Sequence, residues 1–188
     1  MKKFFIILTA AAAVLSAACS HQRQWNREER QQMRENLNRY KKMVYLQDLT
    51  DPEFVLFSDN VASKLEERYP VYTAFVRMPG SKDTVDAVVV TAIVDELDAD
   101  AHNMRHLYPY HYLVAQGVLP EGLDRSAQRA FYRCFANRVN NRYASMRQFF
   151  RAVMADTTDN SQIARMQAQC ANDLFDYVVE IDEIEIFN

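Results

Sequence analysis

Apolar residues recur along the chain in helical stripes, interrupted by one segment of different character. Met33, Leu37, Tyr40 and Val44 follow one another at intervals of four, three and four, which predicts a helix over 26–48. Thr50-Asp51-Pro52-Glu53 combines a cap, a first-turn proline and a capping-box glutamate, and so predicts a second helix. Its stripe is Phe54, Phe57, Val61, Leu65 and Tyr69, and Pro70 ends it. Residues 71–78 and 84–94 are rich in β-branched and aromatic side chains, and the turn cluster 79–83 separates them; together they predict a β-hairpin. The run Ala87-Val88-Val89-Val90 fits a strand covered on both faces, with a helix as the alternative for 84–94, since an apolar run alone does not settle the type.

Helical spacing resumes at 95–108, and a short helix is expected over 109–116 with Gly117 as its stop. The longest predicted helix is 124–155, whose buried stripe is Phe131, Phe135, Val139, Met146, Phe149 and Val153. After a cap-rich loop at 156–161, Ile163, Met166, Cys170, Leu174, Tyr177, Val178 and Ile181 continue a helical pattern; Ile184-Glu185-Ile186-Phe187 reads as a short added strand. The expected fold is α+β and mainly helical, with five or six helices packed around one β-hairpin in a single globular domain over 26–188.

Composition narrows the choice of function. The chain has 188 residues, of which 49% are apolar and 25% charged, an ordinary globular balance. It has three glycines where average usage would give roughly thirteen. Neither G-x-G-x-x-G nor G-x-x-x-x-G-K-[ST] occurs, so the common phosphate-cradling turns are excluded, and a turn-dense β-barrel is disfavoured. There is no G-x-S-x-G elbow either.

The first eighteen residues read as a signal peptide: Met1-Lys2-Lys3 is positive, 4–15 is apolar apart from Thr9, and Ser16-Ala17-Ala18 is a small-residue cleavage context. The apolar run falls short of the roughly 20 residues a bilayer needs. Leu15-Ser16-Ala17-Ala18-Cys19 resembles the lipobox of bacterial lipoproteins, with its leucine four residues before the cysteine instead of three. The resemblance implies that Cys19 is acylated and becomes the mature N-terminus, that 19–25 is a lipid-anchored tether, and that Ser20 directs the protein to the outer membrane. It also implies a periplasm-facing domain, since no acidic export stretch follows; secretion into the periplasm is the alternative. Each acyl methylene buried adds about 0.8 kcal/mol of membrane affinity.

Loss of residues 1–18 removes two lysines and no acids, taking the formal charge from −3 to −5. Basic and acidic residues number 7 and 3 over 19–47, 4 and 12 over 48–100, 8 and 3 over 101–156, and 1 and 7 over 157–188. Such alternation fits pairing between blocks of one domain. An acidic total argues against nucleic acid as a partner.

Four places could carry chemistry. On a continuous helix over 95–108, Asp95, Asp98, His102 and His106 share a face, and histidine with carboxylate is a legitimate divalent-metal set. The intervening glutamate of H-E-x-x-H is missing, and the same face is where a surface helix puts its polar residues. Arg125, Arg129, Arg133, Arg147 and Arg151 form one arc of the long helix, suited to an anionic partner or to the chain's own Glu180, Asp182, Glu183 and Glu185. The Tyr108-Pro109-Tyr110-His111-Tyr112 cluster fits a packing corner or a binding groove. With Cys19 acylated, Cys134 and Cys170 remain as an even pair in an oxidising compartment. A straight helical hairpin turning near 158 would leave them about 18 Å out of register, so two buried thiols are expected, with a Cys134–Cys170 disulfide as the alternative.

These features add up to a non-enzymatic, lipid-anchored binding or accessory protein of the cell envelope, with no cofactor and a protein partner. The alternatives are an envelope enzyme inhibitor or immunity protein, and a metal-dependent hydrolase using the Asp/His face.

Overall fold

The structure, a computed structural model, describes residues 24–179. The signal peptide, Cys19 and the strand expected at 184–187 lie outside the described residues. Among the described residues, eight α-helices run α1 (Arg27–Leu37), α2 (Asp51–Arg68), α3 (Tyr72–Arg77), α4 (Ser81–Ala99), α5 (Tyr110–Ala115), α6 (Arg125–Arg142), α7 (Met146–Met154) and α8 (Asn160–Phe175), with 3-10 turns at Asn38–Lys42, Leu46–Asp48 and Ala101–His106. The fold is mainly helical, and no strand occurs among the described residues. None of their helices is long and apolar enough to cross a membrane.

The predicted hairpin is therefore corrected: 71–78 holds α3 and 84–94 belongs to α4. Under the β-branched composition of α4 lies a helical period, because its buried residues Val85, Val89, Ile93 and Leu97 recur at four-residue steps, with Ala92 beside them. A β-branched residue costs a helix only a few tenths of a kcal/mol, whereas fully burying each of these side chains is worth about 1.5–3 kcal/mol for the larger ones. Gly80, at φ 77, takes a left-handed conformation at the start of α4, and its carbonyl accepts from the Thr84 N–H (3.0 Å). The cluster taken for a hairpin turn is thus a helix start.

The expected helix 124–155 is also broken, at Tyr143-Ala144-Ser145. Ser145 accepts from Gln148 N at 3.2 Å, and the Gln148 side chain accepts in return from Ala144 N at 2.8 Å. This S-x-x-Q capping exchange starts a new helix. α6 packs on the 3-10 turn Ala101–His106 and on α8, α2 on α1 and α4, and α4 on α7. Tyr45, Phe57, Phe131, Tyr132, Phe135, Phe149 and Phe150 are the largest wholly buried side chains of the core they share.

Trp25, assigned to the tether by sequence, lies in this core at 4% exposure. Its ring meets Tyr72 edge-on (4.9 Å) and stacks on Phe75 (6.0 Å). Its indole N–H donates to the Tyr69 carbonyl (2.9 Å), and its backbone N–H donates to Glu66 Oε1 (2.9 Å). Arg30 pairs with the other oxygen of that carboxylate.

Ion pairs join the charge blocks across elements: Arg34 to Asp59, Arg39 to Asp86, Arg105 to Glu53 and Arg138 to Asp173. Such pairs at the surface contribute about 0–1 kcal/mol each, so they select register more than they supply stability.

Candidate functional site

The Asp/His face does not survive as a unit. α4 ends at Ala99, and Asp100 adopts extended backbone (φ −142, ψ 114). Its carboxylate accepts from His102 N (2.9 Å), starting the 3-10 turn that carries both histidines. Asp95 pairs with Lys64 Nζ (2.9 Å). Asp98 is exposed, and His102 sits edge-on to Tyr132 (5.6 Å). Among the described residues no group of three or more histidine, cysteine or acidic side chains could hold a metal. A helix break between i and i+4 residues is enough to scatter a ligand set designed on one face.

His106 instead turns inward. It is buried, meets Tyr45 edge-on (5.2 Å), and its Nδ1 lies 3.2 Å from Asp48 Oδ2. That contact assigns the Nδ1–H tautomer to the neutral ring. Around it runs a polar network that sequence spacing does not reveal, because it joins residues 45–53 to residues 96–106, roughly fifty positions away. Tyr45 donates to Glu96 Oε2 (2.9 Å), Asn103 Nδ2 to the Glu96 carbonyl (2.8 Å), and Arg105 to Glu53 Oε1 (2.8 Å). Burial raises the Glu96 carboxyl above the usual carboxylate range, against the pull of the Tyr45 hydrogen bond.

Burial, helped by Arg105, lowers the His106 imidazole below the ordinary histidine range against the opposing effect of Asp48. His102 shifts the same way, from burial first and then Arg105 and Arg129. In the unfolded chain both take up a proton near pH 6.5. Below that pH, and down through the folded-state values, the unfolded state binds more protons and stability falls with falling pH. Glu96 acts oppositely, at more acidic pH. The expected result is a urea midpoint that drops between about pH 7.5 and about pH 5.5, with the slope flattened by His102→Gln plus His106→Gln. An unchanged slope in the double variant would count against buried, neutral histidines.

Beside the Asp48–His106 pair lies an open groove, walled by Val44, Pro109, His111 and Tyr112. The aromatic cluster divides over it. Tyr108 is turned in, edge-on to Phe135 (5.3 Å). The Tyr110 hydroxyl donates to the Pro120 carbonyl (2.8 Å) and accepts from Leu123 N (3.0 Å), fastening the connector before α6. Tyr112 stands 59% exposed, with its ring against His111 (4.4 Å). Two of the three tyrosines are structural, and the third faces the groove.

The arginine arc is likewise split by the break at 143–145. Arg125, Arg129 and Arg133 are exposed on α6. Arg147 and Arg151 sit on α7, where Arg147 reaches the Thr91 hydroxyl (3.4 Å). Glu180, Asp182, Glu183 and Glu185 lie outside the described residues.

Cys134 and Cys170 form a disulfide, with Cα atoms 5.9 Å apart. The expectation of two thiols is corrected for the same reason: α6 stops at Arg142, so α8 turns back along α6 itself, and Arg142 meets Gln162 while Arg138 meets Gln169 and Asp173. No protein-family model, curated protein or solved structure matches the chain.

Proposed function

We propose that this chain is a non-enzymatic, lipid-anchored binding protein of the bacterial envelope, held at the outer membrane by acyl chains on Cys19 and facing the periplasm. Its partner is a protein that places a basic side chain in the groove between Asp48 and Tyr112. The observation that carries this reading is the groove itself: Asp48 supplies a carboxylate beside the exposed rings of Tyr112 and His111, a pairing suited to a lysine or arginine through charge-assisted and cation–π contacts. The Cys134–Cys170 disulfide supports an oxidising compartment. Of the residues that suggested hydrolytic chemistry, Asp95, His102 and His106 are engaged in separate structural contacts and Asp98 is exposed.

The test uses the full chain in a bacterial envelope, with a photo-crosslinking phenylalanine in place of Tyr112. One discrete protein adduct is expected, and it is lost in Asp48→Asn. The absence of an adduct, or an adduct indifferent to Asp48, overturns the groove. Fatty-acid labelling of the wild type, with release of unlabelled Cys19→Ala from the membrane, tests the anchor. A Cys19→Ala protein that stays membrane-bound overturns it.

A further inference from the structure

Because Trp25 is built into the core, the distance between the anchor and the fold is set by covalent geometry. Only residues 20–24 separate Cys19 from Trp25. Six Cα-to-Cα steps reach at most about 20 Å even when fully extended. The anchored end of the fold is also firmly held, since the Trp25 ring, indole N–H and backbone N–H all engage α2, the Tyr69 carbonyl that follows it, or α3. Glu66, which receives the backbone N–H, lies in the last turn of α2.

The groove belongs to the opposite end of that helix. Glu53, in the first turn of α2, pairs with Arg105, the neighbour of His106, and Asp48 lies three residues before the helix. Thirteen residues of α-helix from Glu53 to Glu66 span about 20 Å. The two ends of α2 therefore carry different things: the tether attachment at one, the groove at the other.

We infer that the Trp25 pole of the domain rests against lipid headgroups and that the Asp48–Tyr112 groove is turned away from the membrane. This rests on acylation of Cys19, as proposed above. The occupant of the Trp25 pole is the lipid surface that holds the acyl chains, because a tether this short keeps that pole within about 20 Å of it. The exposed Arg27 and Arg68 at that pole are balanced by the exposed Glu28 and Glu67, and Arg30 is committed to Glu66, so the length of the tether and not charge assigns the lipid surface. The groove then faces the space from which a soluble or peripheral partner arrives.

Trp25 is the sole tryptophan, so it reports its own distance from the bilayer. The acylated protein is placed in phosphatidylethanolamine–phosphatidylglycerol vesicles carrying a dansyl headgroup lipid, and energy transfer from Trp25 is read. At least a twofold loss of Trp25 emission is expected. A glycine–serine insert of roughly 25 residues after Ser20, adding an r.m.s. reach of about 25–30 Å, restores most of the emission. A Trp25→Phe, Tyr112→Trp protein with the native tether is expected to transfer more weakly than the wild type. Unquenched Trp25, equal quenching with the insert, or stronger transfer from position 112 each overturns the inference. If mass spectrometry finds no acyl group, the proposed anchor fails separately. The geometry is then read by coupling Cys19, the one cysteine outside the disulfide, to a maleimide lipid, with the same outcomes deciding.

Discussion

Replacing Cys134 and Cys170 together by alanine lowers the unfolding free energy by about 4 kcal/mol, the chain-entropy value for a closed loop of this length. The bridge joins residues 36 apart, and the loop between them contains the α6–α7 break, all of α7 and the turn into α8. Without the bridge, α8 is held by the burial of Ile163, Met166 and Ala171 and by the partly exposed Arg138–Asp173 pair, which adds at most about 1 kcal/mol. Urea denaturation of the wild type with and without reductant, and of the double variant, provides the measurement. Reduced wild type and double variant should coincide. A difference below about 1 kcal/mol between oxidised and reduced protein would show that the bridge does not constrain the unfolded chain.

The second large effect falls at a position that the lipobox resemblance assigns to the tether. Trp25→Ala should cost about 3–5 kcal/mol, the range for emptying a buried aromatic site. The substitution removes the ring from between Tyr72 and Phe75 and leaves the Tyr69 carbonyl without its indole donor. Trp25→Phe keeps most of the packing and loses the hydrogen bond, so a smaller cost of about 0.5–1.5 kcal/mol is expected for that term. Arg27→Ala, two residues on and exposed, serves as the control and should fall within about 0.5 kcal/mol of wild type. If Trp25→Ala also fell within that margin, the clamp on α2 would be wrong, and the short tether with it.

The candidate groove was only partly legible in the sequence. Tyr112 and His111 stand out by composition, but Asp48, Glu53 and Arg105 do not, because nothing local links a carboxylate at 48 or 53 to a turn at 101–106. The Asp/His set looked local and failed locally: the side chain of Asp100 captured the His102 N–H and ended the helix on which the set depended. In the same way, Ser145 and Gln148 carried a readable capping signal inside an apolar stripe that read as continuous.

The sequence by itself determined what short-range physics controls. Thr50 with Glu53, and Asp124 with the Ala127 N–H, start helices wherever the chain goes, because a cap bonds backbone three residues away. The stripe of α2 likewise needs only its own period. Tertiary structure decided the helical state of 84–94, the partners of His106, the burial of Trp25 and the pairing of Cys134 with Cys170. Each depends on surfaces contributed from tens of residues away, and burying an apolar face against them outweighs the small local preferences that favoured a strand, a metal face, a tether or a free thiol.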